Sequence, residues 1–72
     1  MEAYQDRRFP VDGMSCARCE ERIRRKLGGL DGVRKVAADA RAGEVRVVFD
    51  GQRLDLAQIH AAIAALGYRV GP

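Results

Sequence analysis

The sequence predicts an α+β sandwich in which a four-stranded antiparallel sheet carries two helices on one face. Three observations predict it. Two stretches place apolar residues at helical spacing, Cys19-Ile23-Leu27-Leu30 and Leu56-Ile59-Ile63-Leu66. Shorter segments around them alternate with a period of two, most clearly Val45-Val47-Phe49. Glycines punctuate the junctions, at Gly28-Gly29, Gly32, Gly43, Gly51 and Gly67.

Taken in order, Arg7 to Asp12 reads as a strand with Phe9 and Val11 on one face. Pro10 is discordant there, because proline removes a ladder hydrogen bond. Either its missing N–H falls where the neighbouring strand has ended, or the strand bulges. Ser15 is placed to cap a helix that starts at the cysteines. Glu20 and Glu21 lie early in that helix and Arg24, Arg25 and Lys26 late, which complements its dipole. Glu20–Arg24 and Glu21–Arg25 are i,i+4 pairs worth roughly 0.3 kcal/mol each. Val33 to Ala40 is a weak strand with Val36, Ala38 and Ala40 inward. Glu44 to Phe49 is the strongest strand, with Glu44 and Arg46 outward and Val48 half-exposed. Asp55 caps the second helix, Gly67 ends it, and Tyr68 with Val70 forms a last short strand. Strand, helix, strand, strand, helix, strand is the βαββαβ order of the ferredoxin-like plan, each βαβ half taking a right-handed crossover.

A chain of 72 residues is one domain. It buries only about 60% of its unfolded surface, so the core is thin. Apolar residues make up 47% and charged residues 32%, the balance of a folded domain rather than a disordered one. Residues 1–6 are polar and read as a flexible N-terminal segment, leaving residues 7–72 as the domain. The longest apolar run, Ala61 to Leu66, is too short to span a bilayer. No secretory signal is visible, so the expected compartment is cytoplasmic. The net charge of +3 comes with ten acidic residues and 6% aromatics. No nucleic-acid-binding signature accompanies it, so docking onto an acidic protein is the reading of this charge.

Two cysteines, in the order Cys16-Ala17-Arg18-Cys19, are too few and too close for a disulfide framework. They sit where a loop becomes a helix, and unpaired amides at a helix N-terminus stabilise a thiolate. Arg18 adds positive charge. Two soft thiolates suit Cu(I), which accepts low coordination, whereas structural zinc takes four ligands. A redox pair, or half of a zinc site shared between two chains, fits the same spacing. His60 lies far along the second helix and reads as a solvated helix histidine. Met14 is a thioether, open to ligation or to packing.

Gly13-Met14-Ser15-Cys16-Ala17-Arg18-Cys19 matches the G-M-x-C-x-x-C signature of the heavy-metal-associated (HMA) domain, and the chain resembles that family from Phe9 to Val70. Leu30-Asp31-Gly32-Val33 and Gly67-Tyr68 add to the resemblance. It implies a βαββαβ fold, a metal held by Cys16 and Cys19, and Met14 packed under the loop. Zinc- and cadmium-type relatives often carry Asp before the first cysteine; this chain has Ser15, so the resemblance favours Cu(I), with Ag(I), Hg(II) or Zn(II) as further ions for the same sulfurs. It places Tyr68 beside the metal loop, where it would shield the site and tune release. Arg18, Arg22, Arg25 and Lys26 would form the docking face.

The function expected is therefore a copper chaperone, not an enzyme. It would pass Cu(I) by ligand exchange to an acidic metal-binding domain of a P-type ATPase or to a copper-responsive regulator. The apo form would be a monomer, with a metal-bridged dimer as a second arrangement. An N-terminal metal-binding domain of a heavy-metal-transporting P-type ATPase is the alternative. A thiol–disulfide oxidoreductase is a further alternative, although the chain is short for that fold and lacks an aromatic-Cys-Gly-Pro-Cys context.

Overall fold

The structure, a computed structural model, describes residues 4–71. Its elements are β1 (Tyr4–Asp12), α1 (Ala17–Gly28), β2 (Val33–Asp39), β3 (Glu44–Asp50), α2 (Leu56–Ala65) and β4 (Arg69–Val70). The sheet runs β2-β3-β1-β4 and each neighbouring pair is antiparallel. This is the ferredoxin-like α+β fold that the periodicity predicts.

The core follows the apolar stripes. Val45, Val47 and Phe49 of β3, Phe9 and Val11 of β1, Ile23 and Leu27 of α1, and Ile59 and Ile63 of α2 are buried together. Each such side chain is worth about 1.5–3 kcal/mol when taken out of water. The smaller Val36, Ala38 and Ala40 pack around it, half-buried, and Val48 is half-buried as expected. Leu54 is also buried, just ahead of α2, at a position the helical stripe does not include.

Four local expectations differ from the structure. The first strand begins at Tyr4, not Arg7, because Tyr4, Gln5 and Asp6 pair with Asp50, Phe49 and Val48. Half of the expected flexible segment is thus sheet, and residues 1–3 lie outside the described residues. The extension has no buried face, so it carries no apolar alternation; the β3 ladder and the two-point Asp6–Arg46 ion pair hold it. The Glu20 carboxylate accepts the Ala40 N–H at 2.6 Å instead of pairing with Arg24, while Glu21–Arg25 forms at 3.4 Å. His60 is half-buried rather than solvated, its ring edge-on to Phe9 at 4.8 Å and its Nε2 buried without a hydrogen-bond partner among the described residues. Finally, Cys16 and not Ser15 is the N-cap of α1.

Pro10 is accommodated at the sheet's edge. The Val11 N–H reaches Gly43 on the β3 side, so the ring nitrogen of Pro10 faces β4. β4 ends at Val70, opposite Val11, one position before Pro10 would need a partner. Only the Pro10 carbonyl is used there, accepting the Gly71 N–H at 2.8 Å. At the opposite edge, the β2–β3 register shifts between Val33 and Lys35, a β-bulge.

Candidate metal centre

The loop from Gly13 to Cys16 joins the end of β1 to the start of α1. Gly13 has φ +104°, and a Cβ there would lie 3.2 Å from Cδ1 of the Tyr68 ring. Glycine is required twice over, for the backbone angle and for the ring packed against it. Met14 is buried in the core cluster, next to the loop's glycine. Cys16 then turns the chain into α1 with extended backbone, φ −162°, ψ 177°. Its carbonyl takes the N–H groups of Cys19 at 3.1 Å and Glu20 at 3.3 Å, while no side chain caps the helix.

Both thiols are free; Cys16 is exposed and Cys19 half-buried against the core. The Cys19 thiol is pulled down to about 6 from its ordinary 9.0. The backbone amide of Ser15 contributes most, followed by the Tyr68 hydroxyl against some opposing burial, and then by the Ser15 hydroxyl and the Cys16 amide. The Ser15 Oγ stands 3.9 Å from the Cys19 sulfur. The same proximity to Cys19, with burial, raises Tyr68, and Arg22 opposes that rise from its own side. Tyr68 itself is 9% exposed. A sulfur surrounded by donors is held as thiolate near neutral pH, the form that ligates soft metals.

The structure thus gathers Met14, Ser15, Cys16, Cys19 and Tyr68 at one pole of the domain. Arg18, Arg22 and Arg25 line a shallow concavity on α1 together with Glu21, which the sequence reading left out; Lys26 is exposed one position beyond it. Among the described residues no group of three or more His, Cys, Asp or Glu side chains is placed to hold a metal. His60 belongs with Phe9 and not with the cysteines. The donor set is two sulfurs with open approach at Cys16, which fits a soft ion at low coordination and does not complete a tetrahedral zinc site.

The profile of the heavy-metal-associated domain matches residues 8–69. The chain belongs to that family. It is 36% identical over 66 residues to the copper chaperone CopZ of Bacillus subtilis (strain 168), covering 92% of this chain and 96% of that one. The CopZ of Enterococcus hirae is 38% identical over 61 residues, covering 85% and 88%. Among solved structures, a copper-binding domain from HMA7, a P-type ATPase, superposes with a TM-score of 0.88 at 26% identity, over 92% of this chain and 89% of that one. The heavy-metal-associated fold thus places its cysteine pair here on the loop before α1, with Cys16 as cap and Cys19 inside the first turn.

Proposed function

We propose that this domain binds one Cu(I) through Cys16 and Cys19 and passes it to a partner protein by thiolate exchange. The observation that carries the reading is the incomplete donor set: two sulfurs at an uncapped helix start, one of them exposed, with no third His, Cys, Asp or Glu ligand beside them among the described residues. A partner's thiolate can add to such an ion before either resident sulfur leaves, so the ion need never pass through water. The likeness to copper chaperones along nearly their whole length supports the same reading. No bond within a substrate is made or broken, so the domain acts as a carrier.

Arg18, Arg22, Arg25 and Lys26 lie on or beside the helix that starts at the loop, and they would steer an acidic partner onto it. A metal-binding domain of a P-type ATPase is the partner this chemistry fits best, with a copper-responsive regulator as the other acceptor, in the cytoplasm. The apo chain would act as a monomer. Ag(I) and Hg(II) satisfy the same donors; Zn(II) would need ligands from a second molecule. A second reading, a metal-receiving domain of a transporter, is favoured by the likeness to the HMA7 domain. A competition titration of the reduced protein with Cu(I) and Zn(II) tests the proposal. One Cu(I) per monomer, bound far more tightly than zinc, is expected. A closed zinc site of equal or greater strength would overturn it.

A further inference from the structure

The cysteine loop hangs between two elements, the end of β1 and the start of α1, and both are tied to one turn. That turn, residues 40–43, joins β2 to β3. On one side the Gly43 carbonyl accepts the Val11 N–H at 2.8 Å, two residues before Gly13. On the other, Oε2 of Glu20 accepts the Ala40 N–H at 2.6 Å, one residue after Cys19. The turn is itself fixed, because Asp39 Oδ1 accepts the N–H groups of Arg41 at 2.9 Å and Ala42 at 3.1 Å. The Glu20 bond is partly buried and charge-assisted, the class of hydrogen bond that gives the most net stabilisation.

We infer that Glu20 is a positioning residue for the cysteine pair: through the Ala40 amide it holds the first turn of α1, and with it the Cys16–Cys19 spacing, against the β2–β3 turn. Helical sequence spacing pairs Glu20 with Arg24, four residues on; the fold turns the carboxylate towards a residue twenty positions away instead. A helix start with no side-chain cap is free to fray, and Glu20, in its first turn, fastens it to the Ala40 amide outside the helix. The loop then presents two sulfurs already near the spacing that a shared ion needs, so less conformational freedom is lost on binding.

The metal aspect of this inference rests on the proposed Cu(I) reading, so the test has one arm without metal. The reduced protein is equilibrated with oxidised and reduced glutathione. The two protein thiols give two electrons and two protons to the glutathione disulfide, yielding the Cys16–Cys19 disulfide and two reduced glutathiones. The equilibrium reports the effective concentration of one thiol at the other. Glu20→Ala is expected to shift it severalfold and to weaken Cu(I) binding about 10-fold, in the range seen when a group supporting a metal ligand is removed. Glu20→Gln keeps the acceptor and is expected to stay near wild type. Glu20→Asp withdraws it by one methylene and is expected to behave like Glu20→Ala, deciding the matter should the alanine variant fail to fold. Asp55→Ala serves as a reference that lowers stability without moving either readout. Glu20→Ala within twofold of wild type on the glutathione arm, or Glu20→Gln as impaired as Glu20→Ala, would overturn the inference. A wild-type protein that binds no Cu(I) would defeat the functional reading alone and leave the glutathione arm standing.

Discussion

The two helices open in opposite ways. At α2, Asp55 takes the Gln58 N–H at 2.9 Å and the Gln58 side chain takes the Asp55 N–H at 3.0 Å, a complete capping box. At α1, the corresponding position is Cys16, and no side chain caps it. Both helices pack on the same sheet, each within its own βαβ unit, so the fold does not demand the difference. One helix start contributes stability locally; the other has a cysteine at its cap position and is anchored through Glu20. The site is built where the usual local stabilisation has been withheld.

The largest expected effect sharpens this contrast at α1. Cys16→Ser or Cys19→Ser should each abolish stoichiometric Cu(I) binding in a competition titration, because a single remaining thiolate cannot hold the ion against a two-sulfur competitor. Undiminished binding by the double variant would remove the metal assignment altogether.

Next comes α2. Asp55→Ala should destabilise the domain by about 1 kcal/mol. For a chain of this size that lowers the melting temperature by roughly 4–8 °C. Cu(I) affinity should stay at the wild-type value. A parallel loss of metal binding would mean that the two helix starts are not separable, and the comparison would fail.

The third prediction concerns protonation at α1. Cys19 is lowered to about 6 in the folded chain from an ordinary value of 9.0. The folded state therefore keeps a thiolate where the unfolded state holds a thiol. The resulting stabilisation is fully present above pH 9 and is lost as pH falls through about 6. In the Cys16→Ser variant, alkylation of Cys19 should reach half its plateau rate near pH 6. Tyr68→Phe removes a donor and should move that midpoint upward. A midpoint left at its ordinary value in the folded chain would show that the Ser15 and Cys16 amides and Tyr68 do not act on the sulfur.

The smallest effect is on encounter. Reversing Arg22 and Lys26 to Glu should slow transfer to an acidic partner and flatten its salt dependence, since such steering fades over a Debye length of about 10 Å at 0.1 M. Cu(I) affinity should change little. Wild-type rate and salt slope in the reversed variant would reduce this face to solvated surface.

What the sequence shows of this site is the part with a local signature. Cys16 and Cys19 stand out by spacing, β3 by its alternation, and α2 by Asp55 ahead of an apolar stripe. The elements missed depend on partners distant in sequence. Tyr4–Asp6 pair with β3 although nothing in their own pattern says strand. Glu20 leaves the expected Arg24 for Ala40, which no helical spacing reveals. His60 is drawn against Phe9, fifty-one positions away in the sequence numbering, and so is not the surface residue its helix position implies. Ser15 looks like a cap by residue type, yet the chain turns one residue later and its hydroxyl faces the Cys19 sulfur.

The sheet's borders have a consequence for how this domain meets other proteins. An exposed strand edge invites another chain to pair with it, and repeated pairing leads to aggregation. Here the β4 border is two residues long and meets proline at Pro10. The β2 border is kinked by its bulge, with the charged Arg34 and Lys35 at that point. The bulge interrupts the row of backbone groups along β2, whereas Tyr4 to Phe9 of β1 have no β4 partner among the described residues. A carrier has to collide with partners often and part from them quickly. On the β2 side, the bulge and the charges at Arg34 and Lys35 keep the backbone out of such encounters.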